Sequence, residues 1–265
     1  MSLSINIKDY LNEPLFYIDP NIFLYHEDCL AILKKLPDNS IDMIFADPPY
    51  FLSNNGITCQ SGKMVSVNKG DWDKGMPIDE IYKFNHNWLK ECFRVLKPGR
   101  TIFVSGTMHN IHTVGFAMQR IGYKLLNDIT WYKINPPPNL TCNYFVHSTE
   151  TIIWARKGSV KHYFNYELMK QIGDPNPGKQ MHSLWKIFPP MNGEKKFGKH
   201  PTQKPVKLLE RIIMAASHEN DIVIDPFCGS GTTGVACKLT NRKFIGIDIS
   251  KDFLELSLKR LNDTH

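Results

Sequence analysis

DIVIDPFCGSGTTG, residues 221–234, places a short apolar strand directly before a glycine-rich turn. Three glycines in this turn have the G-x-G-x-x-G spacing: Gly229, Gly231 and Gly234. Glycines let a backbone turn tightly and approach a ligand at the start of the next helix. The following apolar strand ends at Asp248, about 20 residues on, where a carboxylate can accept hydrogen bonds from ribose hydroxyls. The pattern predicts a binding site for a cofactor that contains a nucleoside.

Outward from this turn, apolar strands alternate with amphipathic helices along the chain. IDMIFAD, residues 41–47, is a nearly continuous apolar strand of the kind that is buried on both faces. The alternation predicts an α/β fold with a doubly wound, mostly parallel sheet. Residues 53–76 are polar and lack periodicity, so we expect a long loop there. The length of 265 residues and a hydrophobic fraction of 42% fit a single domain.

The positive charge is concentrated in one part of the chain. The formal net charge is +6, and the segment from Arg156 to Lys204 contains ten basic and three acidic residues. The rest of the chain therefore has a slight acidic excess. Such a segment is either a solvated lysine-rich loop or a face that contacts phosphate groups.

The remaining composition indicates a reduced cytoplasmic protein. The N-terminal segment MSLSINIKDY lacks the basic and apolar regions of a signal peptide, and no apolar run approaches the roughly 20 residues that cross a bilayer. The six cysteines are scattered without a CxxC pair, and we expect no metal site.

The apolar strand at 41–47 ends in a second motif, DPPY, residues 47–50. One target that this motif could hold is an exocyclic amino group of a base. Such a group is a poor nucleophile because its lone pair is delocalised into the aromatic ring. Asp47 and the carbonyl of Pro48 can each accept one N–H of such a group, on a backbone whose φ angles are fixed by Pro48 and Pro49. Tyr50 can stack on a base that has left the helix. The alternative is a simple turn at the end of a strand.

The glycine turn alone fits a nicotinamide dinucleotide as well as other adenosine-containing ligands. An NAD-dependent dehydrogenase is therefore one alternative, although dehydrogenases usually place this unit at the start of the nucleotide domain. A further alternative is a non-catalytic DNA-binding module that keeps the fold of an enzyme with these motifs but not its activity. The intact DPPY and glycine motifs favour an enzyme over that module.

DPPY before DPFCGSG, with KHPTQKP between them, resembles the amino-group DNA methyltransferases of the permuted β class along essentially the whole chain. The resemblance implies a seven-stranded, Rossmann-like methyltransferase sheet, S-adenosylmethionine as cofactor and N6 of adenine in DNA as the target. It divides residues 1–265 into a catalytic half at about 20–156, an irregular target-recognition insertion at about 157–199 and a cofactor-binding half at about 200–265. Phe51 departs from the family pattern, in which many members have Asn.

The resemblance also implies roles for individual residues. The catalytic set is Asp47, Pro48, Pro49 and Tyr50. The cofactor-binding set is Asp28, Thr202, Lys204, Asp225, Phe227, Cys228, Gly229, Ser230, Gly231 and Asp248. Asp28 is expected to contact the adenine amino group of the cofactor, and Thr202 and Lys204 are expected near its methionine carboxylate. Candidate DNA contacts are Asn135, Asn139, Lys179, Lys186, Lys195 and Lys196.

Several blocks outside the general motifs are similar to a narrower group, the DpnA-type methyltransferases of restriction systems that cut at GATC. These blocks include DPPYFLSNNGI, KGDWDK and NPPPNLTCNYFVHSTETIIWARK. The similarity implies methylation of adenine in GATC, with action on single-stranded DNA as well. It also implies a bacterial cytoplasmic location, a cognate endonuclease, a companion methyltransferase for the same site and a homodimer as one oligomeric state. The GDWD segment, residues 70–73, is expected either to close over DNA or to contact a second subunit.

Overall fold

The computed structural model describes residues 9–11, 13–51, 57–60, 63–66, 73–136, 138–139, 142–173 and 175–264. The strands are β1 (Phe16–Asp19), β2 (Ile22–His26), β3 (Ile41–Ala46), β4 (Ile57–Gln60), β5 (Lys63–Ser66), β6 (Leu96–Gly106), β7 (Tyr123–Tyr132), β8 (Thr149–Lys157), β9 (Leu184–Lys186), β10 (Ile222–Asp225) and β11 (Lys243–Asp248). The helices are α1 (Cys29–Leu33), α2 (Ile78–Val95), α3 (Ile111–Ile121), α4 (Tyr166–Gln171), α5 (Val206–Ala216), α6 (Thr232–Leu239) and α7 (Lys251–Asn262).

One large sheet organises the chain, in the order β1-β2-β11-β10-β3-β6-β8-β7-β9. The five central strands from β2 to β6 are parallel to one another. Strand β8 runs antiparallel to both β6 and β7, so the end of β7 and the start of β8 lie at the carboxyl edge of the central strands. The doubly wound, mostly parallel α/β fold predicted from the sequence is confirmed.

Alternate residues of the central strands supply two hydrophobic cores. In β3, Ile44 and Ala46 pack with α1, α2 and α3, whereas Met43 and Phe45 pack with α5, α6 and α7. This alternation is the consequence of a strand period of two residues, with a layer of helices on each face. It explains why the predicted strand at 41–47 is apolar almost throughout.

The chain reverses its direction of winding between β3 and β10. These strands are neighbours, with Ile44 opposite Ile224, and the chain continues from β3 toward β6 but from β10 toward β11. Ligands in open α/β sheets bind in the crevice at such a point, outside the carboxyl ends of the strands. The two motifs predicted from the sequence, at the ends of β3 and β10, therefore lie side by side at this crevice.

Three details differ from the sequence expectations. Within the described residues the main sheet has nine strands rather than seven, because β1 pairs with β2 at one edge and β9 pairs with β7 at the other. The expected loop at 53–76 contains an antiparallel hairpin of β4 and β5, whose alternating pattern is too short to be read from composition. Much of the segment 53–76 otherwise lies outside the described residues, as do residues 70–72 of GDWD. The segment 157–199 contributes α4, β9 and a short 3-10 helix (Asn192–Lys195).

Candidate active site

The DPPY motif forms a buried corner directly after β3. The Tyr50 hydroxyl donates to Asp47 Oδ1 at 2.5 Å, and the Lys204 ammonium donates to Asp47 Oδ2 at 2.5 Å. Lys204 Nζ also lies 3.0 Å from the Tyr50 hydroxyl oxygen and 5.4 Å from the centre of the Tyr50 ring. Tyr50 is only 4% exposed, although it lines the pocket, so its ring is not the freely exposed surface that the motif suggests. Base stacking on Tyr50 stays a prediction.

Asp73 fixes the backbone of this corner. Its Oδ1 accepts the backbone N–H of Tyr50 at 2.8 Å and that of Phe51 at 2.7 Å, and its side chain is fully buried. Phe51 has a φ of +59°, in the left-handed region that Asn tolerates better than an aromatic residue. The backbone conformation gives a physical reason why Asn is common here in the family that the sequence resembles. In this chain, the Asp73 carboxylate and edge-to-face packing on Phe84 at 5.6 Å hold Phe51 in place.

Asn110 holds the second proline of the corner. Its side-chain amide donates to the carbonyl of Pro49 at 3.1 Å and accepts the backbone N–H of Thr107 at 3.1 Å. Asn110 is fully buried, so both hydrogen bonds are shielded from water. The Pro49 carbonyl is therefore used inside the protein, and the expected role of the Pro48 carbonyl as a substrate acceptor stays a prediction.

The charges around Asp47 are coupled. Burial raises the pKa of Asp47, and the nearby Lys204 ammonium opposes that rise. Burial lowers the pKa of Lys204, but the carboxylates of Asp47 and Glu150 more than offset it, so the pKa lies above its usual value. Burial likewise raises the pKa of Glu150, and Lys204 with Lys133 more than offsets it. Lys204 is thus held as a cation between two carboxyl groups.

The glycine turn after β10 forms the neighbouring corner. Gly229 and Gly231 have φ angles of +51° and +72°, which favour glycine. Asp248 Oδ2 accepts the Gly229 N–H at 2.7 Å, and its Oδ1 accepts the Ser250 N–H at 2.8 Å. Asp248 therefore fixes the turn, and its expected contact with ribose hydroxyls stays a prediction.

Asp225 closes this second corner. Its Oδ1 accepts the Phe227 N–H at 3.0 Å and its Oδ2 accepts the Thr233 hydroxyl at 2.5 Å. Burial raises the pKa of Asp225 to about 7. Asp28, which lies between β2 and α1, caps α1 by accepting the backbone N–H groups of Leu30 at 2.9 Å and Ala31 at 3.3 Å.

One pocket joins the two corners. It is lined by all four predicted catalytic residues and by nine of the ten predicted cofactor-binding residues: Asp47, Pro48, Pro49, Tyr50, Asp28, Thr202, Lys204, Asp225, Phe227, Cys228, Gly229, Ser230 and Asp248. Gly231 lies behind the lining, where an added Cβ would be 2.7 Å from Ser257 Cβ. The geometry confirms that the two sets of residues meet, while their individual roles stay predictions.

The predicted DNA contacts lie outside this lining. Asn135, Lys179 and Lys186 are exposed, and Lys195 is partly buried. Lys196 is exposed but forms an ion pair with Asp263 at 2.5 Å. Asn139 donates to the carbonyl of Tyr144 at 2.7 Å, so it shapes its own loop.

The pocket fits a cofactor that combines a nucleoside with charged groups. Gly229 gives the backbone its close approach: an added Cβ would lie 3.0 Å from His200 Nε2. Phe227 and Phe253 add aromatic surface, and Asp28 and Asp248 add carboxylates. Among the described residues, no group of His, Cys, Asp and Glu side chains is arranged to hold a metal ion. No helix in the same part of the chain is long and apolar enough to span a membrane.

A DNA methylase family, N6_N4_Mtase, matches residues 41–259. The chain belongs to this family. The methylase is 54% identical over 249 residues to the type II methyltransferase M2.LlaDCHI of Lactococcus lactis subsp. cremoris, covering 93% of this chain and 91% of that one. It is 52% identical to M2.DpnII of Streptococcus pneumoniae, with coverage of 93% and 91%, and 50% identical to M2.MboI of Moraxella bovis, with coverage of 98% and 93%.

Solved structures agree with the fold. The complex of M1.HpyAVI with S-adenosylmethionine superimposes with a TM-score of 0.68 at 30% identity, covering 91% of this chain and 99% of that one. The PvuII cytosine-N4 methyltransferase gives a TM-score of 0.71 at 20% identity, with coverage of 91% and 86%, and supports the fold alone. The methylase is thus an adenine-specific DNA methyltransferase that uses S-adenosylmethionine, and the dehydrogenase alternative is excluded.

Four residues that shape the corner were not singled out from the sequence: Asp73, Asn110, Lys133 and Glu150. Asp73 belongs to the noticed GDWD segment, but its partner is 23 residues earlier in the chain. Glu150 is the single acid near the start of β8, and nothing in the local sequence separates it from a solvated acid. Lys133 and Asn110 carry no local pattern, because their importance arises from tertiary contacts.

Proposed function

We propose that this methylase transfers a methyl group from S-adenosylmethionine to N6 of adenine in GATC, on duplex DNA and on single strands. In this proposal it acts in the cytoplasm of a bacterium and protects host DNA in a restriction–modification system. Support comes from its type II methyltransferase relatives and from the blocks that resemble the DpnA-type enzymes.

One observation carries the proposal: the Asp47 corner and the glycine turn line the same pocket, at the ends of adjacent strands. S-adenosylmethionine, when bound, supplies a methyl group on a positively charged sulfur. The chain must then present an amino nitrogen to that methyl group with its lone pair released from the ring. Asp47 is placed to do so beside the predicted cofactor residues.

The corner supplies the acceptors that an amino group needs. Asp47 accepts one N–H of the target amino group, and the Pro48 carbonyl accepts the other. The lone pair of the nitrogen then points toward the methyl group of the cofactor. Asp73 and Asn110 hold the backbone in position through buried hydrogen bonds. Tyr50 contributes its ring edge or face to the base and its hydroxyl to the orientation of Asp47.

The cofactor is held from the other side of the pocket. Asp28 is proposed to bind the adenine amino group, Asp248 the ribose, and the turn at Gly229 the methionine portion. Thr202 and Lys204, both in the pocket lining, are proposed to lie near the methionine carboxylate. These assignments rest on the resemblance and on the shared pocket lining.

DNA is proposed to lie across the positive segment. The insertion at 157–199 presents Lys179 and Lys186 to solvent, where they can contact phosphates and fix the register of the duplex. We include in the proposal the division into catalytic, target-recognition and cofactor-binding parts. A cognate endonuclease, a companion methyltransferase for the same site and a homodimeric assembly are parts of the same proposal, and they rest on the resemblance alone.

The test is transfer of labelled methyl from S-adenosylmethionine to unmethylated oligonucleotides. Four substrates are compared: duplex and single strand, each with GATC intact or with its adenine replaced by guanine. We expect label on both intact substrates and none on either replaced one. Label that ignores GATC would contradict the site assignment and retain the adenine methyltransferase; absence of label on every DNA would contradict the proposed reaction.

A further inference from the structure

Four charged side chains of alternating sign extend inward from the DPPY corner. Lys204 Nζ is 2.5 Å from Asp47 Oδ2 and 3.5 Å from Glu150 Oε2, and Lys133 Nζ is 2.5 Å from Glu150 Oε1. Glu150 is 8% and Lys204 is 5% exposed. Glu150 and Lys133 reach this position because β8 begins, and β7 ends, at the carboxyl edge of the central strands.

Asp47 is already engaged at both oxygens. Its Oδ1 accepts the Tyr50 hydroxyl and its Oδ2 accepts the Lys204 ammonium, each at 2.5 Å. A charged ammonium is a stronger hydrogen-bond donor than a neutral aromatic amino group. An amino group that is to donate to Asp47 must use a remaining lone pair and share the charge of the carboxylate with Lys204.

Glu150 has a carboxylate oxygen, Oε2, that can accept a hydrogen bond from the Lys204 ammonium. Among the described residues, its Oε2 is buried and accepts no close hydrogen bond, and its ion-pair partner Lys204 Nζ lies 3.5 Å away. Buried polar atoms without a hydrogen-bond partner are rare and call for an explanation. A displacement of about 1 Å would bring the flexible lysine side chain within hydrogen-bonding distance of this oxygen.

We propose that Lys204 is a positioning residue that moves between two carboxylates. It orients Asp47 while no target base is bound. It shifts to Glu150 Oε2 when the amino group of the target base donates to Asp47. Lys133 holds Glu150 in place through the other oxygen. The inference rests on the proposed role of Asp47 as the acceptor for the amino group.

The shift has a chemical consequence for the target base. While Lys204 is bound to Asp47, it withdraws negative charge from the carboxylate and makes it a weaker acceptor. Once Lys204 has moved, the full charge of Asp47 faces the amino group. Glu150 thereby affects the rate of transfer through Lys204, and it does not itself line the pocket.

Glu150→Gln tests the shift, because the amide keeps the shape and an acceptor oxygen but removes the negative charge that attracts the ammonium. We expect kcat to fall at least about 10-fold, with the KM for DNA and the Kd for S-adenosylmethionine within about twofold of the unmodified values. Lys133→Met breaks the same Lys133–Glu150 pair but leaves the Glu150 carboxylate available to Lys204. Its kcat is expected to fall by no more than about threefold.

Asp42→Asn is the matched control. Asp42 is another buried carboxylate, near the amino end of β3 and so at the other end of the strand from Asp47, and it is paired with Lys97 at 2.8 Å and Arg100 at 3.3 Å. This variant is expected to lower thermal stability and to retain kcat. If Glu150→Gln does not fold, as judged by loss of cofactor binding, Glu150→Asp takes its place with an expected kcat between those of Glu150→Gln and the unmodified enzyme.

Two results would overturn the inference. One is an unchanged kcat in folded Glu150→Gln, or in Glu150→Asp where that variant takes its place, and the other is an equal loss of kcat in Glu150→Gln and Lys133→Met, as a purely structural ion pair would give. Failure of the unmodified enzyme to methylate GATC oligonucleotides would instead contradict the proposed function, so the two failures are distinguishable.

Discussion

The molecule contains two Asp-Pro corners on adjacent strands, and they differ in the partners of their aspartates. Asp47, after β3, is paired with the ammonium of Lys204 and the hydroxyl of Tyr50. Asp225, the last residue of β10, accepts hydrogen bonds from the Thr233 hydroxyl and the Phe227 backbone. The sequence motif is similar at the two corners, yet one aspartate has a cationic partner and the other has neutral ones.

The difference teaches that the partners of a carboxylate, and not its local motif, decide its chemistry. Burial is the largest influence on the pKa of both aspartates and raises both; around Asp225 only neutral donors oppose it, and the pKa rises to about 7. At Asp47 the ammonium opposes the same effect of burial. We therefore assign handling of the acceptor amino group to the first corner and shaping of the cofactor turn to the second.

The largest expected effect on cofactor binding comes from breaking the turn that follows the second corner. In Gly231→Ala, a Cβ would meet Ser257 Cβ at 2.7 Å on a backbone with a φ of +72°. We expect the affinity for S-adenosylmethionine to fall at least about 30-fold and the free energy of unfolding to fall by about 1–3 kcal/mol. Isothermal titration and denaturant unfolding measure the two quantities.

Gly193→Ala is the control for this change, because no atom lies within 4 Å of its added Cβ. It is expected to retain cofactor affinity. Equal affinity in Gly231→Ala and the unmodified protein would show that the turn does not shape the cofactor site.

A smaller effect is expected from loosening the first corner without touching Asp47. Asp73→Ala removes the acceptor of two buried N–H groups, at Tyr50 and Phe51. Each unsatisfied donor costs about 1–3 kcal/mol. We expect methyl transfer to fall roughly 10-fold as the corner shifts, with cofactor affinity largely retained.

Asp73→Asn separates geometry from charge, since its amide oxygen can still accept both N–H groups. We expect it to recover most of the transfer rate that Asp73→Ala loses. If Asp73→Ala transfers methyl at the unmodified rate, the corner does not depend on this support.

The smallest expected effect is a pH-dependent change in stability that arises from Asp225. The folded-state pKa of Asp225 is about 7 against an ordinary value of 3.8, so the folded protein binds a proton here more tightly than the unfolded chain. The contribution of Asp225 to stability is therefore full below the ordinary value and is lost as the pH rises toward 7. Asn does not titrate, so the thermal midpoint of Asp225→Asn relative to the unmodified protein should rise between about pH 4 and pH 7 and level off above that. A difference that is independent of pH would contradict this account.

The sequence predicted the features that depend on local pattern. Strand β3, the glycine turn and Asp248 follow from apolar runs, glycine spacing and a carboxylate at the end of a strand. The alternation of strands and helices was sufficient for the fold class. The sequence resemblance added the cofactor, the target and the order of the motifs.

Features that depend on distant contacts were not predictable in this way. The bond from Lys204 to Asp47 joins residues 157 positions apart, and no period or spacing indicates it. Asp73 and Glu150 are single acids in segments where a solvated acid would look the same. Strand β9 is three residues long and pairs with β7 only because the insertion returns to the sheet edge.

The central claim is that Asp47 acts on the acceptor amino group and is not needed to bind the cofactor. The most direct test measures S-adenosylmethionine binding and single-turnover methyl transfer in the same preparation of Asp47→Asn. We predict a Kd within about twofold of the unmodified protein and transfer reduced at least about 100-fold. Transfer within tenfold of the unmodified rate, or loss of cofactor binding in parallel with loss of transfer, would contradict the division of work between the two corners.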